Sequence, residues 1–203
     1  MKKNLFLILL ACIAVISGCA ASVQMGTGYS VLEPIPPSDS PLPMVRGVRP
    51  QVAIGPVGVP GYILRAATVS QEFDWNPANV SVADLNDAVL ARDIPRVFTV
   101  NMERLLAPKG VAVIENWTGA NADYRIAVDL SAFDPTNFNT LETKGRWALY
   151  RGGNPAPAMV RDISFSTPVA GSDLVHVRAA MSRALADLAV MIVRDFEAFL
   201  GTK

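Results

Sequence analysis

The chain predicts an α+β domain: a two-layer sandwich in which a mostly antiparallel sheet is covered on one face by two helical regions. Three observations lead there. In segments between Val111 and Phe165, apolar residues recur at every second position, the period of half-buried strands. From Asp173 to Leu200 they recur at three- and four-residue spacing, the stripe of a long amphipathic C-terminal helix. A further helical stripe precedes the strands, between Asn79 and Leu106. A run of strands flanked by segregated helices is the pattern of α+β architecture.

The first eighteen residues stand apart from this domain. Lys2 and Lys3 give a basic start, Leu5 to Ile16 an apolar core, and Ser17 and Gly18 the small residues that precede a cut, so residues 1–18 read as an export signal. The apolar run is too short to span a bilayer as a helix. Ile16, Ser17, Gly18 and Cys19 resemble the bacterial lipobox, and that resemblance makes Cys19 the lipidation site and, after cleavage, the acylated N-terminus. The other cysteine, Cys12, lies inside the leader, so the mature chain has no disulfide to form. More than one acyl chain on one residue gives durable attachment, because each buried methylene contributes roughly 0.8 kcal/mol.

Residues 19–28 read as a lipidated tether; Ala20 to Gly28 reaches about 30 Å when extended. Ala20 follows the cysteine where lipoproteins kept in the inner membrane commonly carry aspartate, so the resemblance favours the outer membrane. Tyr29 to Leu32 reads as a short strand. Pro34, Pro36, Pro37, Pro41 and Pro43 then make 34–43 a stiff extended connector.

The body resumes near Pro50 with QVAIGPVGVPGYILR, a buried strand entering a turn. Its glycines suggest a phosphate loop, but Pro56 and Pro60 lack the N–H groups such a loop uses, and no Gly-Lys-Ser/Thr follows. Ser81 is a candidate cap before Val82, Leu85, Ala88 and Val89. Asp93 can cap a second segment, with Pro95 in its first turn and Ile94, Val97, Phe98, Met102, Leu105 and Leu106 as its stripe, ended by Pro108 and Gly110. One kinked helix or two helices both satisfy this pattern.

VAVIE reads as a short strand. Tyr124, Ile126, Val128 and Leu130 alternate with Arg125, Ala127, Asp129 and Ser131, and Gly145–Arg151 and Met159–Phe165 continue a meander across the turn GGNPAP. In the last helix, capped by Ser172, the stripe is Leu174, Val177, Met181, Leu185, Leu188, Ile192, Phe196 and Phe199.

Composition narrows the function. The chain has 18 basic and 18 acidic residues and no basic patch, which argues against nucleic acid. The single histidine, His176, stands beside the last stripe, and there is no G-x-S-x-G, no H-E-x-x-H and no Cys/His metal spacing. Asp84, Asp87 and Asp187 read as solvated helix faces. No catalytic residue, cofactor or metal is expected. Apolar residues such as Met181, Leu185, Leu188 and Met191 could line a lipid cavity, but at helical spacing they read as core. Trp75, Trp117 and Phe138 fall in polar or Pro/Gly/Asn-rich loops and are candidate partner contacts.

The order of these features resembles the ABC-type transport auxiliary lipoproteins, the family of paraquat-inducible protein C. The lipobox, VAIGPVGVPGYILR, IPRVFTVNMERLL, YRIAVDLSAFD, GRWALY and VRAAMSRALADLAVMIV carry the likeness, which spans most of residues 29–200 as one domain. Family members tend to carry a tryptophan early in the first helical region; here Val82 to Leu90 has none and the nearest is Trp75. The resemblance implies a non-enzymatic lipoprotein, anchored on the periplasmic face of the outer membrane. Its partner would be a periplasmic MCE-domain protein whose channel carries lipid between the membranes. It also implies a homo-oligomer that matches the ring of its partner.

Overall fold

The structure, a computed structural model, describes residues 32–37, 49–61, 82–114, 121–136, 139–171 and 174–201. The elements in chain order are strand β1 (Gln51–Gly58), helix α1 (Val82–Leu106), a 3-10 turn (Ala107–Lys109), strands β2 (Ala112–Ile114), β3 (Tyr124–Thr136), β4 (Thr140–Arg151) and β5 (Pro157–Pro168), and helix α2 (Leu174–Gly201). The leader, Cys19, the tether and the candidate caps Ser81 and Ser172 lie outside the described residues.

The five strands form one sheet in the order β2-β1-β3-β4-β5. β1 is parallel to both β2 and β3, whereas β3, β4 and β5 are a long antiparallel meander. The sheet is therefore mixed. Its parallel part follows from α1, which connects β1 to β2 and so returns the chain in the same direction, as a crossover requires. The meander carries most of the pairing, and the α+β class stands.

Alternation decides which side of each strand enters the core. Ile126, Val128 and Leu130 of β3 face Leu149, Trp147 and Gly145 of β4, and these in turn face Met159, Arg161 and Ile163 of β5. Cross-strand partners share a face. A strict period of two would send Phe133 to the opposite side. Ser131 instead lies in a bulge between the pairs Leu130–Gly145 and Ala132–Lys144, so Phe133 pairs with Thr143 on the core side and is 1% exposed. Gly145 makes the bulge possible: a Cβ there would lie 2.2 Å from the Asp129 carbonyl oxygen and 2.9 Å from Leu130 Cα. A second irregularity in β1, between Ile54 and Val57, contains Pro56, which cannot donate to a ladder.

Both helices cover the core face. Ile94, Val97, Phe98, Met102 and Leu106 of α1, and Met181, Leu185, Leu188, Ile192 and Phe196 of α2, join the strand residues in one buried cluster. The end of α2 is pinned to the meander by rings: Tyr124 stands edge-on to Phe196 at 5.2 Å and to Phe199 at 6.3 Å, and the Arg151 guanidinium lies over Phe199 at 4.7 Å.

α1 is a single helix that runs through Pro95. The cost is one hydrogen bond, because the proline supplies no N–H to the carbonyl four residues earlier. Asp93 is accordingly inside the helix and not at its start, so it does not cap a second segment. Its ending matches the sequence: Gly110 takes the left-handed conformation (φ 77°) and donates to the Ala107 carbonyl, while Val111 donates to Leu106. Leu32, read above as the end of a strand, is a buried bend outside the sheet.

We expect Gly145→Ala to lower unfolding free energy by about 1–3 kcal/mol, since the new methyl must displace main chain. Gly153→Ala, in the β4–β5 turn with nothing within 4 Å of an added Cβ, should stay within about 0.5 kcal/mol of wild type. Urea denaturation of both variants checks this; equal effects would remove the bulge from the explanation.

Candidate functional site

Residues 32–37 read Leu-Glu-Pro-Ile-Pro-Pro, and three prolines leave this stretch only three N–H donors. The helical layer accepts all three. Leu32 donates to the Asp93 carboxylate (3.4 Å), Glu33 to the Ser182 hydroxyl (3.0 Å) and Ile35 to Oδ1 of Asn101 (2.7 Å). Arg104 donates to the Ile35 carbonyl. Asp93, Asn101 and Arg104 belong to α1 and Ser182 to α2, so the segment is a strap tied across both helices.

The acceptors are prepared for this role. Asn101 is 0% exposed and Asp93 1% exposed, unusual for these residue types unless they have partners. The Asp93 carboxylate is also reached by Arg96 Nε at 3.4 Å and Arg92 Nε at 3.9 Å. The Ser182 hydroxyl donates back to the Arg178 carbonyl (2.9 Å), which leaves its lone pair toward Glu33. A buried N–H left without an acceptor costs about 1–3 kcal/mol, so the strap and its acceptors hold each other in place. The strap is also the segment through which the chain from Cys19 enters the domain.

The other face of the sheet has no helix among the described residues. Across it runs a row of charge, Asp129 opposite Arg146 and Arg146 opposite Asp162, with the last pair in contact at 3.2 Å. Next to it runs an apolar row, Ala127, Ala148 and Val160. A shallow depression of about 560 Å³ covers this area, lined by Pro56, Gly58, Ala127, Asp129, Arg146 and Tyr150 among others. Gly58 leaves room there for the Asp129 carboxylate, which would have to shift if a Cβ were added, since that Cβ would lie 2.4 Å from its oxygen.

The residues singled out in the sequence fare differently. Cys19, Trp75, Trp117 and Phe138 all lie outside the described residues. His176 is partly buried at the start of α2 beside Gly171, where an added Cβ would come within 2.8 Å of its Nδ1. Asp187 is exposed, and the side chains of Asp84 and Asp87 are outside the described set. Among the described residues no group of three or more His, Cys, Asp or Glu is placed to hold a metal ion. No described helix is long and apolar enough to cross a membrane. The strap was missed in the sequence, where its prolines marked only an extended connector.

A family model described as ABC-type transport auxiliary lipoprotein component matches residues 31–193. The match begins one residue before the strap and runs into α2. No curated protein matches the chain. Among solved structures, a Xanthomonas campestris protein shares 15% identity over 80% of this chain and 89% of its own, with a TM-score of 0.43. A Chlamydia trachomatis protein shares 14% over 77% of this chain and 100% of its own, with a TM-score of 0.47. The PelC dodecamer of Paraburkholderia phytofirmans shares 10% over 74% and 94%, with a TM-score of 0.35. Likenesses this distant carry no argument about function.

Asn101→Ala should lower stability by about 1–3 kcal/mol, because it strands the Ile35 N–H. Asn101→Ala combined with Ser182→Ala should speed hydrogen exchange at Glu33 and Ile35 while leaving the β3–β4 amides protected. Exchange at the strap unchanged in the double variant would mean that other contacts hold it.

Proposed function

The chain belongs to the family of ABC-type transport auxiliary lipoprotein components, and from that membership we propose a specific task. It is an outer-membrane lipoprotein, anchored through Cys19 on the periplasmic face, that docks the channel of a periplasmic MCE-domain protein to that membrane. Lipid passes through the partner's channel and the lipoprotein performs no chemistry.

The observation that carries this reading is the strap. A tether that merely trailed from the domain would transmit nothing to it. Here the chain that follows the tether is tied across α1 and α2 from Leu32 onward by side-chain acceptors, so a pull along the tether is borne by the helical layer of the domain, as a docking element needs. The tether from Ala20 to Gly28 reaches only about 30 Å, too little for one small domain to bridge the periplasm. The partner must therefore come to it. MCE proteins are rings, and several copies of a weakly binding domain gain from effective concentration; a homo-oligomer follows. Trp75, Trp117 and Phe138 are the proposed partner contacts.

One feature favours a second reading, in which the domain holds lipid itself. Between the strap and α2 lies a depression of about 730 Å³ whose lining includes Ile35, Pro36, Val175, Ala179, Arg178 and Arg183. Phospholipid retained by the purified protein, detected by mass spectrometry, would support this reading over docking alone.

Cys19→Ala should leave the protein soluble in the periplasmic fraction or as uncleaved precursor, read by fractionation and mass. Membrane-bound, normally processed variant would sink the lipobox. Docking is checked separately: the wild-type protein should copurify with an MCE-domain protein, and Trp117→Ala should weaken that association. No association in any condition would defeat docking and leave the anchor reading intact.

A further inference from the structure

The depression between the strap and α2 is the larger of the two described above, about 730 Å³, a size within the range of about 300–1,000 Å³ that ligand clefts occupy. Its α2 wall includes Val175, Ala179 and Ala186, which recur at four- and seven-residue intervals and so share one side of the helix. Val175 is 71% exposed, the most exposed of the large apolar side chains among the described residues. The opposite wall is the strap, with Ile35 between Pro34 and Pro36. The ionisable lining is unbalanced: two guanidinium groups, Arg178 and Arg183, together with His176, stand against one carboxylate, Glu33.

The donors on these walls choose among occupants. The strap's three N–H groups are spent on Asp93, Ser182 and Asn101, and its prolines have none. Past its first turn α2 spends its amides on its own carbonyls. A polypeptide laid along the groove would therefore meet no main-chain donor for its carbonyl groups, and a purely apolar ligand would make no use of the guanidinium groups. A molecule that gathers its acceptors and its negative charge at one end, with a plain hydrocarbon chain behind, matches both parts of the lining. Arg183 gives one N–H to the Pro168 carbonyl (2.8 Å), and a guanidinium carries five, so donors remain for an anion. Arg178, half-buried on the same helix, brings a second planar donor set of the kind that suits phosphate.

We propose, resting on the second reading above in which the domain holds lipid, that this groove binds one anionic phospholipid. Its phosphate is taken by the Arg178 and Arg183 guanidinium groups, and one acyl chain lies against Val175, Ala179 and Ile35. The source is the membrane to which the chain is tied, because one wall of the groove, the strap, is the part of the described domain nearest Cys19 along the chain.

The test titrates the full chain, in a nonionic detergent, with phosphatidylglycerol and with phosphatidylcholine of the same acyl chains, and counts adducts by native mass spectrometry. One phosphatidylglycerol per chain should bind about tenfold more tightly than phosphatidylcholine, and Arg178→Gln combined with Arg183→Gln should remove that preference. Ala179→Trp, a change at an exposed position that fills the groove, should weaken both lipids about tenfold at an unchanged melting temperature. Excess inorganic phosphate should displace neither lipid. Equal binding of the two lipids by the wild type would overturn the anionic assignment and leave the lipid-holding reading standing, whereas binding of neither would overturn both. Phosphatidylglycerol binding that is unchanged by Ala179→Trp, or that free phosphate displaces, would overturn the placement of the acyl chain in this groove.

Discussion

The β3–β4 ladder is the constraint on which the remaining structure rests. It joins Tyr124–Thr136 to Thr140–Arg151 along almost their whole length, and the unpaired Ser131 divides it into two stretches of opposite parity. Without that shift, Leu130 and Phe133 could not share a face, and the core face of β3 would end halfway along the strand. With it, Phe133 and Leu141 extend the apolar surface far enough for α1 and α2 to lie side by side on one face. Gly145 is the steric condition for the shift. One residue without a side chain thus sets how large a layer the sheet can carry.

A layer of helices on one side of a sheet has its own outer surface, and the strap lies there. Proline makes it suitable. A segment with a full set of amides would need a ladder to bury against, whereas Leu-Glu-Pro-Ile-Pro-Pro needs only three acceptors and is already biased toward extension. α1 and α2 supply those acceptors from buried or half-buried side chains. Asp93 and Asn101 have no apolar role in the core, and their burial is explained by the strap. The Nδ2 of Asn101 has no partner among the described residues, so its carbonyl oxygen is the part that the fold uses.

These two features give the domain a direction. On the helix side the chain is tied down from Leu32 to Ile35. The opposite face of the sheet carries no helix among the described residues and presents instead the row Asp129, Arg146 and Asp162. The family match, which begins at residue 31, includes the strap, so the strap is part of the matched domain.

The sequence by itself determined the class of fold, the long last helix and the meander, because each rests on a local period of apolar residues that no tertiary contact needs to supply. The proposed leader, Lys2 to Gly18, and the proposed acceptor Cys19 likewise rest on order and size alone. Tertiary structure decided the rest. β1 is parallel to its neighbours because α1 carries the chain back, which no periodicity within β1 records. Phe133 faces the core because of a bulge opposite Gly145, and a reading by twos fails one residue beyond Leu130. Asp93 looked like a cap because aspartate before Ile-Pro has that local meaning; its carboxylate is instead spent on Leu32, sixty-one residues away. The strap was illegible for the same reason. Prolines state that a segment is extended, but which side chains answer its few amides is settled only when two distant helices meet.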